Sequence, residues 1–377
     1  MDLDLSQEHE LLRNTVREFA TERVAPVADE LDRESRFPYE LVAEMAELGL
    51  MGIPIPEEYG GAGSDTLAYA IAIEELTRID SSVAITVAAH TSLGTMPIFL
   101  YGTDEQKSEW LPQLASGQKL AAFGLTEADA GSDAGATRTR AEERDGQWIV
   151  NGSKIFITNA GTDISACVTI TALTGEGEVS NVIVPNGTPG YTISPPMHKL
   201  GWHASDTREL SFKDVAVSEG NLLGERGRGF VQFLEILDGG RISVAAMGVG
   251  LAQGAYDLAF AYARERRQFG KPISSFQAVQ FKLADMATEI EAGRALVYRA
   301  AWLKDQGRPF ALAAAQAKLY TGELSNRVVN ASLQMHGGYG FMEESAIARL
   351  YRDQKVLEIG EGTNEVQRMV IAKHLGL

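Results

Sequence analysis

A glutamate between two glycines is the strongest candidate for chemistry in this sequence. Glu361 lies between Gly360 and Gly362 in the run Ile359–Arg368, after an apolar residue and before a predicted helix. Glycines permit unusual backbone angles and leave space around the carboxylate. A carboxylate is a weak base in water, but in an apolar, water-poor pocket its pKa rises towards neutrality. The pattern therefore fits a general base. The structural alternative is a loop before a helix, with Glu361 interacting with the helix dipole.

A second segment combines a predicted strand end with a polar, glycine-containing loop. The run Phe123–Asp133 reads FGLTEADAGSD, and Leu125 and Thr126 are expected to end a strand. The small residues and hydroxyls that follow suit close approach of the backbone to a flat polar ligand. A polar turn without a ligand explains the same residues, so the segment alone leaves both interpretations open.

Other catalytic patterns are missing from the sequence. Gly248, Gly250 and Gly254 miss the G-x-G-x-x-G spacing by one residue and lie in a predicted helix, which favours helix packing over a nicotinamide site. The six histidines are scattered and Cys167 is the single cysteine, so we expect no metal site and no internal disulfide. Neither a G-x-S-x-G elbow nor a P-loop is found.

Composition and charge bear on the expected partners. The 377 residues carry 51 acidic and 34 basic side chains, a formal net charge of −17, which repels nucleic-acid phosphates and anionic lipid. We therefore expect neither nucleic acid nor a membrane as partner. The acidic start of the chain is unlike a secretory or transit peptide, which predicts a cytoplasmic protein. Val83–Tyr101 is mostly apolar, but its polar residues predict a buried core helix rather than a membrane span.

The elements that must position these residues alternate in type along the chain. Thr103 and Gln106 form a capping-box pattern, and Gly117 is a plausible stop for the helix that follows them. Two dipeptides, Asp145-Gly146 and Asn151-Gly152, predict hairpin turns between short strands, and hence an antiparallel sandwich or barrel.

We expect three domains from this distribution of patterns. A helical domain covers residues 1–120, a β domain covers 121–227 and a helical bundle covers 228–377. The length of the chain agrees with two or three domains. Helices and strands that are segregated along the chain argue against a doubly wound parallel sheet.

The two candidate segments, taken with several further blocks, resemble the acyl-CoA dehydrogenase family. The further blocks stand in the family's order and spacing, namely Gly224–Phe230, Arg241 with its glycine-rich helix, Arg266–Gly270, Phe276-Gln277, Gln334–Gly340 and Tyr351–Asp353. The resemblance extends over essentially the whole chain, and the part from Arg241 onward is most similar to the short-chain (butyryl) branch. It implies an α+β multidomain fold with an N-terminal helical domain, a middle antiparallel β-barrel or sandwich and a C-terminal four-helix bundle.

The resemblance also implies an activity. Family members use FAD to oxidise the α–β bond of an acyl-CoA to a trans-2-enoyl-CoA, in fatty-acid β-oxidation or branched-chain catabolism. Glu361 matches the base that removes the α proton, while flavin N5 accepts the β hydride. Some relatives carry the base just before the arginine that is Arg241 here, but this position is Gly240. The resemblance further implies a homotetramer and an electron-transferring flavoprotein as acceptor.

Binding residues follow from the same match. The residues that match FAD contacts are Phe123, Leu125, Thr126, Gly131, Ser132, Phe156, Ile157, Thr158, Arg266, Gln268, Phe269, Gln277, Gln334, Gly337, Gly338, Thr363 and Glu365. Those that match contacts with the acyl-CoA are Ser132, Asp238, Arg241 and Gly362. Many relatives have an aromatic residue at the position of Gly360, so a short- to medium-chain substrate is expected while its length and branching stay open. An acyl-CoA oxidase-like enzyme and a non-catalytic helical scaffold are the alternatives.

Overall fold

Helices occupy the chain up to residue 115 in the computed structural model, which describes residues 4–377. They are α1 (Gln7–Phe19), α2 (Ala28–Glu34), α3 (Tyr39–Glu47), α4 (Thr66–Ile79), α5 (Ser81–Ala89), α6 (Met96–Tyr101) and α7 (Asp104–Ala115). The predicted capping box at Thr103 and Gln106 begins α7, and Gly117 follows its end in a left-handed conformation. Both local predictions are confirmed.

Strands dominate the middle of the chain. They are β1 (Leu120–Gly124), β2 (Arg140–Arg144), β3 (Gln147–Thr158), β4 (Ser165–Gly175), β5 (Glu178–Pro185), β6 (Tyr191–Ile193), β7 (Thr207–Ser218) and β8 (Leu222–Leu223). The sheet has the order β6-β7-β3-β2-β4-β5-β8, with β1 beside β4. Most pairs are antiparallel as predicted, but β1 runs parallel to β4 and β2 meets β4 in a parallel pairing. β1 ends at Gly124, so Leu125 and Thr126 lie in the loop and do not end the strand.

One of the two predicted hairpin turns is confirmed and the other is wrong. Asp145-Gly146 joins β2 to β3 with two residues at positive φ. Asn151-Gly152 instead lies inside β3, at a shift in the pairing with β7. A Cβ on Gly152 would come within 2.5 Å of Thr139 Oγ1, so this glycine allows a close strand approach and marks a bulge.

Long helices return after β8. They are α8 (Gly229–Glu265), α9 (Gln277–Asp305), α10 (Ala311–His336), α11 (Ala346–Asp353) and α12 (Asn364–His374). A short hairpin of β9 (Arg267–Gln268) and β10 (Lys271–Pro272) lies between α8 and α9. Small residues let α8 approach its neighbours, since a Cβ on Gly250 would lie 2.3 Å from Glu74 O of α4. The order of helices, strands and helices confirms the predicted α+β fold.

Two helical stretches are long and apolar enough to cross a membrane by length and composition alone. In Ser81–Tyr101 and Gly229–Glu265, 78% and 67% of the most apolar window is buried inside the protein. The first stretch consists of α5, a π-helical segment His90–Thr95 and α6. Packing against neighbouring helices accounts for its apolar composition, as the prediction of a core helix requires.

Candidate active site

The loop between α11 and α12 places Glu361 in an unusual backbone conformation. Glu361 has φ +56° and Gly362 has φ +83°, so two successive residues are left-handed. The helix after them is capped by Thr363, whose side chain accepts a hydrogen bond from Val366 N. Thr363, and not Glu361, is therefore the N-cap of this helix. Such strain at a non-glycine residue is often found where a side chain is aimed for function.

The carboxylate of Glu361 is removed from water and has no hydrogen-bond partner at one oxygen. Although the residue as a whole is partly accessible, its Oε2 is buried and unpartnered among the described residues. Burial raises the pKa of Glu361 to about 7, against the opposing positive charges of Arg241 and Lys318. The sequence argument for a general base predicts a shift in this direction.

The start of α8 forms the wall opposite Glu361. A Cβ on Gly240 would lie 2.9 Å from Glu361 Oε2, so the two positions that carry the base in different relatives converge on one place. Arg241 is buried and donates to Asp238, while its Nε has no partner in the described part of the chain. These predicted substrate residues therefore lie beside the predicted base.

A cavity of about 370 Å³ lies next to this wall. It is bordered by helices α4, α6 and α8 and by the segment that joins α9 to α10, and its lining includes Tyr69, Ser92, Asp238, Gly239 and Lys304. Most of the exposed surface inside it is apolar. Gly239 in the lining is adjacent to Gly240, which faces Glu361 Oε2, so the cavity lies next to the candidate base.

The predicted flavin-side residues lie in two segments, which meet where the loop after β1 contacts β3. Phe123 at the end of β1 is buried and stacks on Phe233 with ring centroids 5.9 Å apart. Phe156 has φ +64° and is 60% exposed, so its ring faces away from the core. Thr126 O accepts a hydrogen bond from Ile155 N at 2.8 Å, which joins the loop after β1 to β3.

Other members of this group differ in how accessible they are. Gly131 and Ser132 are exposed in the loop after β1, and Leu125 and Thr158 are partly buried. Ile157 is 3% exposed, and its side chain packs in the core of the sheet. We therefore expect only its backbone to face a cofactor.

A second group of predicted cofactor residues lies around another cleft. Arg266, Gln268, Gly337 and Gly338 line a cleft of about 570 Å³ together with Tyr339. Gln334 and Gln277 are exposed at neighbouring helix ends, and Phe269 is 93% exposed. Thr363 and Glu365 lie at the start of α12 and are not part of this lining. The structure thus divides the predicted FAD residues among separate parts of one chain.

Sequence reasoning missed the buried residues that support both loops. Lys154 is fully buried in β3 and donates to Glu127 Oε1 at 2.7 Å and to Leu125 O at 3.1 Å. Lys318 and Gln367 likewise donate side-chain hydrogen bonds to backbone carbonyls in the loop of Glu361. A lysine in a strand or helix usually faces solvent, so residue type alone carried no signal.

Glu361→Gln is expected to stabilise the fold at alkaline pH. The raised pKa of Glu361 means that its contribution to stability is complete below its ordinary value of 4.5 and is lost as pH rises through about 7. Because glutamine does not ionise, the variant should gain about 3 kcal/mol in the free energy of unfolding at pH above 8. Urea denaturation at matched protein and cofactor concentrations tests this, and an equal difference at pH 4.5 and pH 8.5 would contradict it.

Fold and site together identify the class of protein. Models of the N-terminal, middle and C-terminal domains of acyl-CoA dehydrogenase match residues 6–118, 122–215 and 227–376 in turn. The chain therefore belongs to the acyl-CoA dehydrogenase family and is an enzyme of that family.

Individual family members match along the whole chain. A probable acyl-CoA dehydrogenase of Bacillus subtilis is 50% identical over 380 residues, with 100% of both chains covered. The acryloyl-CoA reductase (NADH) of Anaerotignum propionicum is 45% identical, covering 100% of this chain and 96% of the reductase. The structure of butyryl-CoA dehydrogenase from Megasphaera elsdenii matches with a TM-score of 0.97, 42% identity and 100% of both chains. An acyl-CoA dehydrogenase of Bacillus anthracis complexed with FAD matches with a TM-score of 0.93 and 35% identity, over 99% of this chain and 67% of that one.

Proposed function

We propose that this enzyme dehydrogenates a short- to medium-chain acyl-CoA to the trans-2-enoyl-CoA, with Glu361 as the base. The observation that carries the proposal is the buried, unpartnered Oε2 of Glu361 opposite Gly240. A thioester α proton is weakly acidic, so its removal needs a carboxylate whose basicity has been raised by loss of water. Glu361 meets this requirement.

The residues around the site fit FAD. Phe156 presents an exposed ring in a strained conformation, which suits stacking against a planar group. Arg266 offers an exposed guanidinium beside the open space over Gly337 and Gly338, which suits a diphosphate in an otherwise acidic protein. When bound, FAD would accept the β hydrogen with its electron pair.

The chain's own residues would bind and orient the thioester. Glu361 is proposed to take the α proton onto its carboxylate, and its backbone N–H is proposed to donate to the thioester oxygen as negative charge develops. Asp238, Arg241, Ser132 and Gly362 are proposed to contact the CoA side. The cavity of about 370 Å³ gives room for an acyl chain.

Anaerobic mixing with acyl-CoA thioesters tests the function. Butyryl-CoA, hexanoyl-CoA and branched analogues should bleach the bound flavin, and an artificial acceptor should restore its colour with formation of enoyl-CoA. Slow reoxidation in air supports a dehydrogenase that passes electrons to an electron-transferring flavoprotein, whereas fast reoxidation with peroxide supports an oxidase. A colourless protein that FAD cannot reconstitute would support the non-catalytic scaffold and refute the proposal.

Reduction of an enoyl-CoA is a second candidate for the same site. The 45% identity to an acryloyl-CoA reductase supports this reductive direction. In that direction Glu361 returns a proton to the α carbon, since the same groups serve a reversible step. A physiological reductase should reduce acryloyl-CoA or crotonyl-CoA with a reduced electron donor faster than it oxidises the saturated thioester.

We also propose that the active form is a homotetramer in which one FAD contacts two subunits. The cleft of Arg266 is surrounded by exposed aromatic side chains, with Phe269 93%, Phe341 78% and Tyr339 64% exposed. Such exposure is typical of a surface that another chain covers. This arrangement would bring the two separate groups of FAD residues together.

Mixing two inactive variants is expected to restore activity. Glu361→Gln lacks the base and Arg266→Ala weakens the cofactor cradle, so each homo-oligomer should be impaired. If Arg266 serves a neighbour's site, roughly a quarter of the sites in randomly mixed oligomers carry both intact groups. Co-refolding followed by a turnover assay checks this. Absence of restored activity, with mixed oligomers demonstrated by tagged chains, would place both residues in the same chain's site.

A further inference from the structure

A buried lysine lies behind the loop that carries Glu361. Lys318 of α10 is fully buried, and its Nζ donates to Gly362 O at 2.8 Å and to Asn364 Oδ1 at 3.2 Å. Within residues 4–377 these partners are a backbone carbonyl and an amide rather than a carboxylate. Burying an ammonium without an ion-pair partner is costly, so we expect this buried lysine to have a functional role.

A buried glutamine contacts the same two peptide groups. Gln367 of α12 is fully buried, and its Nε2 donates to Glu361 O at 3.1 Å and to Gly362 O at 2.8 Å. The carbonyl of Gly362 therefore accepts from both side chains. A left-handed glutamate costs about 1–2 kcal/mol relative to ordinary backbone, and these hydrogen bonds oppose relaxation of the loop.

We propose that Lys318 and Gln367 are positioning residues for the base: they hold the backbone of Glu361 and Gly362 in its left-handed conformation, so that the carboxylate faces the cleft, and Lys318 adds a positive charge beside it. This inference rests on the proposed role of Glu361. The two residues share the backbone contact, but only Lys318 carries a charge. Their substitution should therefore have different effects on the pH dependence of the reaction.

The charged and titratable groups that face Glu361 come from three helices. Arg241 approaches from α8, Lys318 from α10 and Tyr69 from α4. Burial raises the pKa of the Tyr69 phenol, so this group stays neutral at physiological pH. Burial raises the pKa of Glu361, and Arg241 and Lys318 both oppose the rise. Loss of the Lys318 charge therefore raises the pKa of the base further and leaves less of it ionised at neutral pH.

Steady-state pH profiles of Lys318→Met and Gln367→Met separate charge from position. Lys318→Met should move the acidic limb of kcat/KM upward by about one pH unit and lower kcat at the pH optimum by about tenfold to a hundredfold. Gln367→Met should lower kcat at least severalfold and leave the limb in place. Lys318→Arg should return the limb towards that of the wild type. Lys355→Met, which removes an exposed charge from the segment just before the loop, is the matched control and should change neither quantity.

A second measurement does not depend on turnover. The stabilisation by Glu361→Gln begins near the ordinary pKa of glutamate in both backgrounds, but it should level off at a pH about one unit higher in the K318M background than in the wild-type background. If the wild type is active and K318M keeps both its limb and its kcat, the positioning role is wrong and the proposed function stands. If the wild type oxidises no acyl-CoA, the proposed function fails and the stability titration decides. In that case, a stabilisation that levels off at the same pH in both backgrounds refutes the effect of Lys318. Should K318M fail to fold, Gln367→Met still decides the positioning role, because an unchanged kcat in that variant would refute it.

Discussion

Glu361→Gln is expected to lower the rate of acyl-CoA dehydrogenation by about a thousandfold or more, in line with the contribution of a positioned general base. Glutamine has nearly the same shape but cannot accept the α proton at neutral pH. The binding surfaces are unchanged, so the variant should retain FAD and still bind substrate. Rapid-mixing measurements of flavin bleaching by butyryl-CoA would isolate the chemical step from product release.

A nearby carboxylate supplies the control. Glu358→Gln removes the same charge three residues earlier, where the side chain contacts Asn326 and Lys355 rather than the cavity. Butyryl-CoA should bleach the flavin of this variant at close to the wild-type rate. Near-normal bleaching by Glu361→Gln would refute the assignment of the base, and equal losses in both variants would point to a general effect of charge on the loop.

Lys154→Met is expected to destabilise the β domain strongly. Lys154 is 0% and Glu127 8% exposed. Although burial would raise the pKa of Glu127, the hydrogen bond from Lys154 and neighbouring donors bring it to about 2, and burial lowers the pKa of Lys154 to about 8. Both groups are therefore charged at pH 7. Removing one partner of such a pair costs about 3–5 kcal/mol, because the other charge stays buried.

A double-mutant cycle tests this coupling. Adding Glu127→Gln to Lys154→Met removes the stranded carboxylate and should recover part of the lost free energy of unfolding. The exposed pair of Arg144 and Glu142 in the same sheet is the control, since its loss should cost less than about 1 kcal/mol. Urea denaturation gives the stabilities, and flavin content reports on the loop of Leu125 and Thr126. Additive single effects would show that the two charges do not depend on each other.

Local sequence patterns predicted the elements well where short-range geometry decides. The capping box at Thr103 and the Asp145-Gly146 turn depend on contacts within a few residues. Asn151-Gly152 failed because the same dipeptide also suits a bulge, and only its long-range neighbour Thr139 shows which applies. The parallel pairing of β1 with β4 could not be predicted from turns, because it joins strands more than 40 residues apart.

The order of helices, strands and helices, the glutamate between glycines and the family were determined by the sequence itself, because each is written in residue types at short spacing. Tertiary structure decided what makes that glutamate a candidate base: its loss of water, the proximity of Gly240 and Arg241, and the buried supports Lys318 and Gln367. These features join residues far apart in the chain. The basicity of a carboxylate depends on the solvent and charges around it, and folding alone brings those together.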